Sequence, residues 1–199
     1  LIDVLWSMLS KNKKKMVLPW AMEKPVIMVD AEIGVTGTDN GTITVLENQF
    51  GGDTTNMDYG INLDGPEYGS NYPGVYGTDF TFPNTTLMDY FLTTKQMRSM
   101  RMPIQWERVQ PTLSGSLDSS YLSRITTAVN YATGLGAKVI LSPHNFGYYR
   151  LSGTNRYIGS AQVTEADFVD LWTRLSNTYK SNPLVEYCLM NEPHFNISV

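Results

Sequence analysis

From about Met57 onward, short apolar runs alternate with longer amphipathic ones, and this alternation constrains the fold more than any other feature of the 199 residues. "MDYGINL" reads as a strand and "NTTLMDYFLTTKQM" as a helix. "SMRMPI" is a second strand. "DSSYLSRITTAVNYATGLG" is a helix with Leu122, Ile125 and Val129 on its apolar face, ended by Gly134 or Gly136. "AKVILS" is a third strand, nearly continuously apolar, as strands covered on both faces are. In "TEADFVDLWTRLSNTYK", Thr164 fits an N-cap and Asp167, three residues on, resembles a capping box. Its apolar stripe is Phe168, Leu171, Trp172, Leu175 and Tyr179. Asn182 and Pro183 stop that helix, and "LVEYCLM" is a fourth strand. Strands alternating with helices in this way imply successive parallel βα units with right-handed crossovers.

Such units build either a doubly wound sheet or a barrel. A nucleotide-binding sheet carries a Gly-rich phosphate turn after its first strand. Here that connection is the aromatic stretch "DGPEYGSNYPGVYGTDFTFP", without G-x-G-x-x-G. The barrel is favoured. A complete (β/α)8 TIM barrel takes about 250 residues, so residues 51–199 are expected to be its first four βα units, truncated. The chain opens on Leu1 rather than methionine, and both ends read as truncations. Residues 1–50 form an N-terminal extension in which Asp39-Asn40-Gly41 signals a hairpin turn. It is either a strand pair closing the barrel bottom or a tail.

Composition excludes several partners. Net charge is −4 and the pI is about 5.1, which argues against nucleic acid or an acidic membrane surface. No apolar run reaches the length of a membrane span, and the apolar-then-basic N-terminus inverts the order of a secretory signal. The single cysteine, Cys188, excludes an internal disulfide and reads as a small buried hydrophobe. Sequons at Asn40, Asn84 and Asn196 are compatible with a secreted protein.

Polar residues gather where the apolar strands end: Arg101 on the second, His144 and Asn145 on the third, Asn191, Glu192 and His194 on the fourth. In a parallel barrel the C-terminal strand ends share one face, where active sites are built. Arg101 lies between Met100 and Met102, so it points away from both, and a guanidinium inside a barrel needs an anionic partner. Pro193 biases Glu192 toward extended backbone. Any of these residues alone has a bland reading: an ion pair, a core histidine, an ordinary loop.

Together, "GINLDGPEYG", "NYPGVYGTDFTFPN", "MRMPIQWERVQPT", "VILSPHNFGYY" and "YKSNPLVEYCLMNEPH" resemble glycoside hydrolase family 5, closest to its fungal-type endo-β-1,4-glucanases. The resemblance runs from about Tyr59 to His194. It implies a retaining glycosidase acting on cellulose or related β-glucan, secreted, monomeric when complete, with no metal or organic cofactor. It makes Glu192 the general acid/base, Asn191 the contact to the sugar 2-hydroxyl, Arg101 the partner of the nucleophilic carboxylate, and His144 and Asn145 cleft residues. By position, Glu67, Tyr68, Trp106, Tyr149 and His194 are candidate substrate contacts. Tyr72, Tyr76, Phe80 and Phe82 either join Tyr68 in stacking on sugars or pack their own loop.

A retaining enzyme needs two carboxyls about 5 Å apart, one protonated and one ionised. The resemblance puts the second on the seventh strand, so this chain on its own is expected to be inactive. Departures from the family pattern are Ser142 for an aspartate, Phe146 for a tyrosine, Gln96 for a glycine and Tyr148 for an arginine. A β-mannanase or β-1,3-glucanase of the same family is the alternative within the enzyme class. A non-catalytic glucan-binding relative is the alternative outside it.

Overall fold

The structure is a computed structural model that describes residues 59–193 and a two-residue strand, Met16–Val17. Its strands are β1 (Met16–Val17), β2 (Gly60–Asn62), β3 (Ser99–Ile104), β4 (Lys138–Pro143), β5 (Tyr148–Leu151), β6 (Thr154–Tyr157) and β7 (Val185–Cys188). Its α-helices are α1 (Thr85–Asp89), α2 (Trp106–Val109), α3 (Ser119–Gly134) and α4 (Glu165–Tyr179). Strands β2, β3, β4 and β7 lie side by side in chain order, all parallel. A doubly wound sheet reverses its strand order at a switch point. From β2 through β3 and β4 to β7 there is no such reversal, and these four strands form an arc of a (β/α)8 barrel, roughly its first four βα units. β1 adds to the free side of β7, with Met16 opposite Tyr187. The hairpin expected at Asp39-Asn40-Gly41 lies outside the described residues.

Each sheet face has its own chemistry. Met100, Met102 and Ile104 of β3, Val139 and Leu141 of β4, and Val185 and Tyr187 of β7 are at most 1% exposed. They belong to one core with Ile125, Val129, Leu171, Trp172 and Leu175 of the helices. The Trp172 ring meets Tyr187 edge-on with centroids 5.3 Å apart, and its indole N–H donates to the Leu189 carbonyl. Fully burying one such side chain contributes about 1.5–3 kcal/mol, so this layer holds the arc together. The alternate residues Arg101, Lys138, Ile140, Glu186 and Cys188 are half-buried. The third strand is therefore apolar on its helix side and mixed on the other, rather than covered alike on both.

Local signals decide where the helices begin and end. Thr164 accepts from the Asp167 N–H while the Asp167 carboxylate accepts from the Thr164 N–H, the reciprocal capping box. Asn84 caps α1 by accepting from the Leu87 N–H. The expected long helix there loosens after α1 into a wider π-type turn over Tyr90–Thr94, closed by Lys95 N–H to the Tyr90 carbonyl. At the end of α3, Gly136 N–H donates to the Thr133 carbonyl and Ala137 N–H to the Ala132 carbonyl, a Schellman pair with Gly136 at φ +81°.

Two elements had no expectation. The one-turn α2 follows β3 directly. The hairpin β5–β6 turns on Ser152 and Gly153, both at positive φ, as its two-residue type I′ turn demands.

The two glycines at the C-terminal end of α3, Gly134 within it and Gly136 just past it, test this account in opposite directions. A Cβ on either meets nothing within 4 Å, so backbone preference alone acts. Gly136→Ala is expected to lower stability by about 1 kcal/mol because of its left-handed backbone. Gly134→Ala, inside the helix, is expected to raise it by about 0.5–1 kcal/mol. Urea unfolding midpoints of the two variants check this, and shifts of the same sign contradict it.

Candidate active site

Arg101 stands within β3 rather than at its end, on the face away from the core. Its Nη1 donates to Asn62 Oδ1 at 2.7 Å, and Nη2 donates to Ser142 Oγ at 2.7 Å and Asn191 Oδ1 at 2.8 Å. One guanidinium thus joins the C-terminal ends of β2, β4 and β7 to its own strand. The expected anionic partner is not among these contacts, since all three acceptors are neutral. Asn62 in turn donates through Nδ2 to Asp64 Oδ1, and the Tyr68 hydroxyl lies 3.5 Å from Asp64 Oδ2.

The Arg101 contact also orients the Asn191 amide. Arginine only donates, so Asn191 Oδ1 must face it, and Nδ2 is left facing His144 Nε2 at 3.5 Å. Nε2 is then the acceptor and Nδ1 carries the proton of a neutral imidazole. Nδ1 is buried and has no hydrogen-bond partner among the described residues. Burial, followed by the nearby Arg101 charge, lowers the His144 pKa, while Asp64 and Glu192 pull weakly the other way. Protonation would also set an N–H against the Asn191 N–H.

Glu192 follows Asn191, whose backbone N–H is tied to the Pro143 carbonyl at 2.8 Å. The chain must turn at once, and Glu192 takes φ +40° rather than the extended backbone expected from Pro193. Positive φ is uncommon for a residue with a side chain and is found where structure over-determines it. The turn leaves Glu192 exposed beside the half-buried Asn191. Arg101, Asn191 and His144 therefore form one chain of polar contacts at the strand ends, and Glu192 stands exposed next to Asn191, near enough for its charge to act on His144.

Other sequence candidates sit elsewhere. Asn145 is fully buried: its Oδ1 accepts from the Trp106 backbone N–H, and its Nδ2 donates to Glu107 Oε2. Trp106 is also fully buried, packed on Tyr149 and Phe168, with its indole N–H on Gln110. Tyr149 is 2% exposed and donates its hydroxyl to the Gln110 carbonyl. These three support the site from behind and do not line it. For Asn145 the cause is the turn after β4, where Phe146 and Gly147 take positive φ and send it inward.

Glu67 is tucked under the loop, accepting from Gly65 N–H, and desolvation pushes its carboxyl up to about 7. Tyr68 is exposed, and the Asp64 charge beside it raises its hydroxyl. His194 lies outside the described residues. The Phe80 and Phe82 rings pack on Tyr121, Tyr76 packs on Phe80, and Tyr72 lies under Arg108, so these rings build the loop itself.

Sequence reasoning missed Asn62 and gave Ser142 no part in the site. It also missed Glu107 and Arg108, which are buried behind the site. Alternation along β3 and β4 could have found Ser142, which shares the inward parity of Ile140. Among the described residues, no group of three or more His, Cys, Asp or Glu could hold a metal, and no helix is long and apolar enough to cross a membrane. The neutral-imidazole arrangement predicts that His144 titrates below the ordinary histidine value of about 6.5. An NMR titration of its ring signals checks this, and a midpoint above that value contradicts the assigned tautomer.

Comparison with known proteins bears on the family and the fold. The family model described as Cellulase (glycosyl hydrolase family 5) matches residues 53–199. The probable endo-β-1,4-glucanase B of Aspergillus kawachii is 36% identical over 137 residues, which are 68% of this chain and 39% of that protein. The endo-β-1,4-glucanase B of Aspergillus niger is 37% identical over 135 residues, 67% of this chain and 38% of its own length. This chain thus spans about two fifths of those relatives.

Among solved structures, the endo-β-1,4-glucanase Xac0029 of Xanthomonas axonopodis pv. citri superposes with a TM-score of 0.63. It shares 40% identity, over 67% of this chain and 41% of that one. XacCel5A in complex with cellopentaose gives 0.65 and 38%, over 70% of this chain and 43% of that one. On the matched residues and the parallel arc alike, this chain belongs to glycosyl hydrolase family 5, the cellulase family.

Proposed function

We propose that the protein is a retaining endo-acting glycosidase that cleaves the β-1,4 bonds of cellulose or a related glucan, with Glu192 as its general acid/base. The observation that supports this reading is the contact chain from Arg101 through Asn191 to His144 at the strand ends, with Glu192 following Asn191 directly. The curated relatives named as endo-β-1,4-glucanases and the cellopentaose complex of XacCel5A support a β-1,4-glucan as substrate. A polymeric substrate that cannot enter cells implies work outside them, with glucan as the partner and the protein acting as a monomer.

The chemistry follows from the placement. In the first step the Glu192 carboxyl gives its proton to the glycosidic oxygen as the bond breaks and the sugar is transferred to a second carboxylate. Glu192 then takes a proton from the water that releases the sugar. Asn191, fixed by Arg101, turns its amide to a sugar hydroxyl whose bond strengthens in the transition state. Arg101, held by neutral oxygens, keeps its full positive charge for the second carboxylate and holds it ionised. That carboxylate is a glutamate contributed by sequence beyond the four βα units. His144, neutral, stands at the strand ends as donor or acceptor without adding a second cation.

Reducing-sugar release by the full-length protein from carboxymethylcellulose, mannan and laminarin tests the substrate class. Carboxymethylcellulose is expected to be cleaved fastest, and release from mannan alone would overturn the reading. In the same protein, Glu192→Gln is expected to lower turnover about 100-fold or more. Unchanged turnover on an unactivated glucan removes Glu192 from the role. The 199 residues on their own are expected to give no turnover comparable to that of a complete family member.

A further inference from the structure

Glu107 is a carboxylate 4% exposed, and its oxygens are met by N–H groups rather than by an ion-pair partner. Oε2 accepts from Gln105 Nε2 at 2.5 Å and from Asn145 Nδ2 at 2.7 Å, and Oε1 accepts from the Arg150 backbone N–H at 2.5 Å. A charge buried this way is costly to hold, so its position needs a reason. Asn145 and Arg150 supply one, because they stand on either side of a single tight turn. That turn runs from Asn145 to Tyr148, has Phe146 at φ +53° and Gly147 at φ +89°, and closes with Tyr148 N–H on the Asn145 carbonyl.

His144 immediately precedes the turn. Its backbone N–H is fixed on the Ile104 carbonyl, and its ring packs edge-on to Phe146 with centroids 4.9 Å apart. Phe146 holds a backbone conformation that side chains disfavour, and the two bonds to Glu107 keep the turn from relaxing. The far end of the Asn145 amide, on the Trp106 N–H at 2.9 Å, settles which way the amide faces.

We propose that Glu107 is a positioning residue: a buried carboxylate that clamps both ends of the turn after β4 and thereby sets the His144 ring against Asn191. Only an acceptor with two oxygens can serve both anchors. A glutamine would turn an NH2 toward one of them. The proposal rests on the glycosidase reading for its effect on rate, but not for its effect on structure.

The test compares Glu107→Gln with Gln105→Ala in the full-length protein. Glu107→Gln strips one anchor; Gln105→Ala removes a donor but leaves both. Glu107→Gln is expected to lower kcat/KM on carboxymethylcellulose at least tenfold per folded enzyme and to move the His144 ring NMR signals recorded without substrate. Gln105→Ala is expected to stay within twofold and leave those signals in place. If both variants lose activity only in step with melting temperature and the ring signals do not move, Glu107 serves the fold alone and the proposal fails. Should Glu107→Gln not fold, Asn145→Ala removes the upstream anchor and is expected to move the ring signals, and unmoved signals again overturn the clamp. Wild-type protein inactive on every glucan would refute the glycosidase reading instead, while the ring comparison still decides the clamp.

Discussion

The guanidinium of Arg101 is the point on which the site depends. Four parallel strands reach it: β3 carries it, and Asn62, Ser142 and Asn191 bring oxygens from β2, β4 and the end of β7. Hydrogen bonds from a charged group contribute about 1.5–3 kcal/mol each, more than neutral ones, so the cluster pins the open ends of the strands. None of the three acceptors is anionic, so the positive charge is shared out but not cancelled. That single property connects architecture to chemistry. The contact orients Asn191, Asn191 orients His144, and burial, followed by the charge that remains, lowers the His144 pKa; the same charge suits the strand ends to a carboxylate. Ser142 matters here because an aspartate in its place would neutralise the arginine.

A second arginine does comparable work outside the strand-end cluster. Arg108 is 2% exposed and donates to the carbonyls of Pro66, Asn71 and Pro73. It also lies over the Phe80 and Tyr72 rings at 4.4 and 5.2 Å. Carbonyl dipoles and ring faces stabilise the cation where no carboxylate is bonded to it. The long aromatic loop after β2 is thus folded around a charge, which explains why Tyr72, Phe80 and Phe82 turn inward while Tyr68 and Tyr76 remain exposed. With Glu107 under the next turn, two buried charges on adjacent residues of α2 support the two loops that flank the site.

The arc of the barrel was legible because its signals are periodic. Apolar strands, capped amphipathic helices and the Asn182-Pro183 stop each act over a few residues and agree with one another. The strand-end cluster was legible for a related reason: parallel strands bring their C-terminal ends to one face whatever the loops do. Which residues beyond those ends face the strand-end cluster was not legible, because it depends on left-handed turns. Phe146 and Glu192 have positive φ, and the first of these turns sends Asn145 into the interior while His144 stays at the cleft. Burial of Trp106 and Tyr149 followed from the unforeseen α2 and β5, whose pairing of ring on ring no local pattern announces. Glu107 and Arg108 were hidden for the opposite reason, since adjacent charged residues in a sequence read as surface.

The most direct measurement is a crystal structure of the full-length Glu192→Gln protein soaked with cellopentaose. The account predicts a glycosidic oxygen within hydrogen-bond reach of residue 192, a sugar hydroxyl on the Asn191 amide, and Arg101 still bound to Asn62 and Ser142. Cellopentaose seated in a groove away from Asn191 and residue 192, with Arg101 turned out of the strand ends, would contradict it.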